Sequence, residues 1–336
     1  MKHIAVIGAG SIGRRHISNL HLLHPDAQLY WLGATGAIAE AERDADILYP
    51  AHPDELLSIQ LDYCIVASPA SSHLHFMRAL LAKHIPVLVE KPLAANLADG
   101  QQMQQLCLAK PQTPVAVAYC LRFLPALQLL KTTLQNSDLG KVLHINCQVA
   151  QYLPDWRPGK DYRQSVSARA ELGGGVLLEL SHELDYLHYL FGPLHLHYSQ
   201  LKHSDLLEID VEDQADLLMS TQSGATVSLH QDFLQKTVQR RCIISTTVAR
   251  LEWDLVQNSI WLFTGSEQQL LFSEPAYQRN QMYLQMLTAF EQQIQQPGTT
   301  SATLATVDDA LCTLALIEQA KQQASIGPIT PQQQGS

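Results

Sequence analysis

Three things are scarce in this 336-residue chain, and each scarcity closes off a class of function. Cations are outnumbered: 22 Lys and Arg against 32 Asp and Glu leave a net charge of −10. A nucleic-acid surface needs clustered Lys and Arg to neutralise phosphates, so no nucleic-acid partner is expected. Long apolar runs are missing as well. None approaches the roughly 20 residues that cross a bilayer, and the run after Met1-Lys2-His3 stops at Gly8, too short for a secretory signal. No membrane partner is expected, and the expected compartment is the cytoplasm. The six cysteines (Cys64, Cys107, Cys120, Cys147, Cys242 and Cys312) form no CxxC pair. Buried thiols are the reading, with neither a disulfide framework nor a metal site.

The remainder is globular, with 46% hydrophobic and 16% charged residues. The length exceeds what one core usually organises, which predicts two domains. In the first third, short apolar strands at 4–7, 28–32, 63–67, 87–89 and 115–118 are separated by helical patterns at 11–22, 73–83 and 96–109. Such alternation predicts an α/β fold whose parallel sheet is covered on both faces. After residue 122 the rhythm changes. A helix over 124–135, a strand over 142–152 and one helix over 176–191 precede strand-like segments between 195 and 263. Gln222-Ser223-Gly224 supplies a hairpin turn among them. Long helices over 277–295 and 306–323 follow. The expected division is 1–122, a dinucleotide-binding domain, and 123–330, a substrate domain, with the last helix able to pack back on the first.

Gly8-Ala9-Gly10-Ser11-Ile12-Gly13 fits GxGxxG between a strand and a helix. Gly8 permits the turn, Gly10 admits the pyrophosphate, Gly13 packs helix on strand, and N–H groups at Ser11 and Ile12 receive the anion. The next strand ends Leu29-Tyr30-Trp31-Leu32-Gly33-Ala34-Thr35-Gly36, without the carboxylate that binds the ribose hydroxyls of NAD. NAD or NADP is therefore the expected cofactor, with Arg14 and Thr35 near the ribose. Three further strand ends carry polar groups: Ala67-Ser68-Pro69-Ala70-Ser71-Ser72-His73, Glu90-Lys91-Pro92 and Tyr119-Cys120-Leu121-Arg122. Ligands bind outside such strand ends, so Ser68, Pro69, His73, Glu90 and Lys91 are cofactor candidates and Arg122 a substrate candidate.

In 151–163, Trp156, Arg157, Lys160, Tyr162 and Arg163 combine aromatic faces with cations. That mixture suits a sugar bearing a carboxylate or phosphate; a loop pinned by its own Asp–Arg pairs accounts for it equally well. On a single helix over 176–191, Leu177, Leu180, Leu184, Leu187 and Phe191 form the apolar stripe. Glu179, His182, Asp185, Tyr186 and Tyr189 then share the other face. Gly173-Gly174-Gly175 before it would let backbone approach a ligand. His182 is the candidate acid/base, because imidazole titrates near neutral pH, and Asp185 is a candidate substrate contact.

The dinucleotide loop, the 67–73 segment, Glu90-Lys91-Pro92, and Gly173-Gly174-Gly175 with Glu179, His182 and Asp185 together resemble the glucose–fructose oxidoreductase, inositol dehydrogenase and rhizopine-catabolism (Gfo/Idh/MocA) family. The resemblance implies a Rossmann domain followed by an α/β domain with an open, mostly antiparallel sheet. It also implies a pocket between the two and a homodimer or homotetramer formed through the sheet. Lys91 would sit near the nicotinamide and the substrate hydroxyl, with a cis Lys91–Pro92 bond and His182 as acid/base. Glu179 stands three positions before His182, where the family usually places an Asp four before. The implied activity is hydride transfer to or from a small-molecule carbohydrate, a sugar or sugar derivative, with acidic and nucleotide-linked sugars among the options. The alternatives are a glycosidase that uses NAD transiently and a dinucleotide-sensing binding protein.

Overall fold

A computed structural model of the chain describes residues 1–34, 38, 43–135, 137–296, 301–324 and 327–328. Strands β1 (His3–Ile7), β2 (Gln28–Leu32), β3 (Ile47–Leu48), β4 (Tyr63–Val66), β5 (Val87–Val89) and β6 (Val115–Val117) form a sheet in the order β3-β2-β1-β4-β5-β6. Every pairing in it is parallel. Helices α1 (Ser11–Leu23), α2 (Pro53–Leu57), α3 (His73–Ala82) and α4 (Leu97–Ala109) connect the strands. Ile4, Ala5, Val6, Ile65, Val66, Val87, Leu88 and Val89 are wholly buried, so both sheet faces are covered and the strands read as unbroken apolar runs. The strand order reverses between β1 and β4. Such a reversal leaves a crevice at the carboxyl ends of the two strands, occupied here by Gly8 and Ala67.

A second group of elements begins with α5 (Pro125–Leu134), α6 (Val176–Glu179) and α7 (His182–Phe191). Its strands are β7 (Val142–Ala150), β8 (Leu194–His203), β9 (Gln214–Thr221), β10 (Thr226–Asp232), β11 (Gln239–Thr246), β12 (Arg250–Asp254), β13 (Ser259–Thr264), β14 (Glu267–Ser273) and β15 (Gly327–Pro328). They form one sheet in the order β14-β13-β12-β11-β7-β10-β9-β8-β15, antiparallel except at β7–β10 and β8–β15. Burial alternates along β9 and β10, so one face is covered and the other is open. Edge strand β14 is exposed over most of its length. Its Glu-Gln-Gln-Leu-Leu sequence lacks the alternation that marks a strand, and sequence reading passed over it.

The helix expected over 176–191 is two helices. Leu180, at φ −97° and ψ 27°, ends α6, and Ser181 precedes α7. The single-helix face therefore does not exist: Tyr186 is fully buried, edge-on to Trp253 with centroids 5.2 Å apart. Asp185 is fully buried too.

After β14 come α8 (Asn280–Gln295) and α9 (Val307–Gln323). One compact unit is Met1–Phe123 with Arg279–Leu314, and the other is Leu124–Gln278 with Ala315–Ser336. The second segment expected from the sequence, 123–330, is thus interrupted. Helix α8 joins the first unit because Glu291 receives the Tyr63 hydroxyl at 2.7 Å and the Lys2 ammonium at 2.8 Å, while Phe290 meets the Tyr63 ring edge-on. Those partners stand some 230 to 290 positions away, beyond the reach of any local pattern.

Candidate active site

In the first unit the loop after β1 is shaped by what no side chain could occupy. Gly8 has φ +124°, and a Cβ there would lie 2.2 Å from the Ala67 carbonyl oxygen. A Cβ on Gly13 would lie 1.9 Å from the carbonyl oxygen of Gly8. Gly10 differs: it is exposed, extended, and no atom stands within 4 Å of its missing Cβ. It offers α1 no side-chain cap, so a ligand's anionic group can meet the N–H groups that begin at Ser11 and Ile12. This bare cradle fits a dinucleotide pyrophosphate. Trp31 braces it by donating its indole N–H to the Gly8 carbonyl at 2.9 Å. The Arg14 guanidinium lies 5.4 Å from the Trp31 ring centre, which keeps a cation beside the end of β2. Thr35 lies outside the described residues.

Other expected cofactor contacts also have partners within the chain. His73 is 1% exposed, with Nε2 at 2.8 Å from the Ser68 carbonyl and Nδ1 at 3.1 Å from that of Leu93. Burial pushes its pKa down, so the neutral ring donates one proton, best placed toward Ser68. It braces the 68–72 turn, where the Ser72 hydroxyl also donates to that of Ser68 at 2.8 Å; Pro69 is half-buried in the same turn. Glu90 is buried as well. One oxygen is 2.7 Å from Nε2 of His16 and the other accepts the Lys91 amide at 3.1 Å. Glu90 thus ties α1 to the Lys91 loop, and the Lys91–Pro92 bond is cis. His16 was missed in the sequence; a polar residue on the buried face of α1, beside Gly13, Ile17 and Leu20, is the signal that could have found it. Arg122, expected at substrate, is 2% exposed and paired with Asp309 at 3.1 Å inside this unit. Its charge is spent on holding α9.

In the second unit the glycines before α6 serve chain packing. A Cβ on Gly174 would meet the Val166 carbonyl at 2.3 Å, and Gly175, at φ +108°, leaves room for the Glu212 carboxylate. The close approach expected toward a ligand is made toward the chain itself. Glu179, at the end of α6, accepts the Ser167 hydroxyl at 3.0 Å. Half-buried His182 opens α7. Next to it, wholly buried Glu183 receives Arg240 through two bonds of 2.7 and 3.0 Å, and this pair fixes α7 on the sheet.

The 151–163 loop divides its polar side chains between two tasks. Arg163 forks onto Asp161 at 2.8 and 2.9 Å and reaches Glu208 at 3.0 Å. Those bonds hold the Asp161 carboxyl below its usual range. The Tyr162 hydroxyl accepts the Glu208 amide at 3.2 Å. The loop is therefore pinned by its own Asp–Arg pair, as one of the two readings held. Trp156 packs edge-on against Phe233 and donates to the Gln151 carbonyl at 3.2 Å. Trp156, Arg157, Lys160, Asp161 and Tyr162 line a cavity of about 410 Å³. Among the described residues, no group of three His, Cys, Asp or Glu could hold a metal ion, and no helix is long and apolar enough to cross a membrane.

A parallel sheet in Rossmann order, a glycine cradle at its switch point and a lysine at the end of β5 define a dinucleotide-binding oxidoreductase. Two family models match the chain. One, described as an oxidoreductase family with NAD-binding Rossmann fold, covers residues 2–119; the other, the GFO/IDH/MocA C-terminal domain, covers 127–252. The chain belongs to the Gfo/Idh/MocA family of oxidoreductases with an NAD-binding Rossmann fold. It is similar to inositol 2-dehydrogenase 2 of Paenarthrobacter aurescens, 27% identical over 67% of each chain. It is also similar to glucose-6-phosphate 3-dehydrogenase of Bacillus subtilis, 26% identical over 57% of this chain and 54% of that protein. The chain spans about half the length of several curated relatives it matches. An inositol dehydrogenase homologue from Azotobacter vinelandii, solved with NAD+, shares the fold at a TM-score of 0.80, with 16% identity over 96% of this chain and 95% of that one.

Proposed function

We propose that the protein transfers hydride between a nicotinamide coenzyme and the hydroxyl- or carbonyl-bearing carbon of a sugar or sugar derivative. The observation that carries this reading is the bare Gly10 cradle at the switch point, joined through the His16–Glu90 bracket to the loop of Lys91. NAD or NADP, when bound, supplies the hydride acceptor or donor. Gly8, Gly10, Ser11, Ile12 and Gly13 hold its pyrophosphate, and Arg14 on Trp31 stands toward the ribose. Lys91 hydrogen-bonds the reacting oxygen and stabilises negative charge that develops there. His182 takes or gives the hydroxyl proton, with Glu179 as its neighbour at the end of α6.

Family membership and relatives acting on inositol and on a glucose phosphate support the substrate class. On this reading the enzyme works in the cytoplasm as a homodimer or homotetramer. Tyr198 and Leu218, cross-strand partners on β8 and β9, are exposed at 54% and 42% and suit a second copy. The test is to incubate the protein with sugars, sugar acids and sugar phosphates plus NAD+ or NADP+ while following absorbance of the reduced coenzyme. Reduced coenzyme should accumulate with one substrate class. A protein that binds coenzyme yet reduces none of it with any of these compounds would overturn the reading.

A further inference from the structure

We propose that the cavity walled by residues 153–167 binds the anionic end of the sugar, a phosphate or carboxylate group, on Arg157 and Lys160. This rests on the sugar-oxidoreductase reading above and names its substrate class. The loop's three cations are not equivalent. Arg163 is committed to Asp161 and Glu208. Arg157 and Lys160, both exposed on the cavity wall, have no side-chain partner among the described residues. In a chain with 32 acidic against 22 basic side chains, two neighbouring cations left without a carboxylate point to an outside anion. A guanidinium forks onto carboxylate or phosphate oxygens, and an ammonium beside it adds a second charge-assisted donor.

The rest of the wall is built to hold its shape. Phe233 and the Gln151 carbonyl fix the Trp156 ring, which presents an apolar face beside the cations. The fork of Arg163 on Asp161 and the bond from Glu208 to Tyr162 keep the lip in place. About 410 Å³ lies within the range of small-ligand sites. Ser167, also on the wall, donates to Glu179 at 3.0 Å. Glu179 closes α6 and His182 opens α7 three residues later, so the anion site is hydrogen-bonded to the helix that precedes the proposed acid/base. Binding an anionic tail here would orient the sugar through energy taken away from the reacting carbon.

The experiment is calorimetric titration of the full chain at low salt with inorganic phosphate, glucose 6-phosphate, glucuronate and glucose. It is repeated with the double variant Arg157→Met, Lys160→Met. The anionic sugars should bind about tenfold or more tighter than glucose, with phosphate competing and added salt weakening them. Glucose 6-phosphate against glucuronate separates a phosphate site from a carboxylate site. The double variant should lose the preference and keep its coenzyme affinity. Equal binding of charged and neutral sugars, or a preference that survives in the double variant, overturns the proposal. Turnover of anionic sugars with unchanged KM in the double variant overturns it too, while leaving the oxidoreductase reading intact. A preference lost in the variant, in a protein that oxidises no sugar, supports the anion site and defeats the functional reading instead.

Discussion

Replacing Gly10 and Gly13 separately by alanine divides coenzyme binding from folding. At Gly13 the new methyl would sit 1.9 Å from the Gly8 carbonyl oxygen, the atom that accepts the Trp31 indole N–H. The backbone must move, at an overpacking cost of ~1–3 kcal/mol. If the Trp31 bond breaks, a buried donor is orphaned at a further ~1–3 kcal/mol. Alanine's better helix propensity returns ~1 kcal/mol. With that bond broken the net loss is ~1–5 kcal/mol, which lowers Tm by ~2–4 °C per kcal/mol in a unit of this size. At Gly10 the methyl meets no atom within 4 Å, and φ −71° suits any residue. Gly10→Ala should leave Tm of the coenzyme-free protein nearly unchanged and weaken NAD(P) binding by ~10-fold or more, ~1.4 kcal/mol. Gly10→Val should weaken it further. Calorimetric Tm without coenzyme, beside titration with NAD+ and NADP+, gives both numbers. The reasoning is refuted if Gly10→Ala lowers Tm as much as Gly13→Ala, or if it binds coenzyme like the wild type.

Lys91→Met should keep coenzyme affinity and reduce turnover strongly; wild-type kcat in a variant that binds coenzyme would remove Lys91 from the chemistry. His182→Asn should lower turnover by ~10²–10⁴-fold with coenzyme binding preserved; activity within a few-fold and an unaltered pH profile would reject the assignment. His230 lies between Asp216 at 2.7 Å and Asp232 at 3.0 Å, which raise its pKa from 6.5 to about 9. Stability from a raised pKa is complete below the unfolded value and is lost as pH climbs through the folded one. Stability should therefore fall between pH 6.5 and about 9, by no more than ~1 kcal/mol because the ring is a third exposed. His230→Gln should flatten that slope in urea titrations across the window, and an unchanged slope would show that the two aspartates do not stabilise the charged ring.

Local signals carried much of the design. Unbroken apolar strands, the glycine spacing and the helical patterns between them are short-range features of a covered parallel sheet, and they placed Gly8, Gly10, Gly13 and Lys91 at strand ends. The missing carboxylate after β2 was also plain to read. Tertiary structure decided which polar residues are available. His73, Glu90 and Arg122 read as ligand contacts because they follow strands, yet their partners are Ser68, His16 and Asp309, and no spacing reveals a partner 187 positions away. The face shared by Glu179, His182 and Tyr186 failed because a two-residue break at Leu180 and Ser181 leaves the hydrophobic pattern almost unaltered while rotating everything after it. In the 151–163 loop, composition supplied the cations, and folding assigned Arg163 to Asp161 and left Arg157 and Lys160 open. Periodicity and backbone chemistry are written along the chain. Charge neutralisation depends on three-dimensional neighbours, so only the folded structure determines which charges are spent.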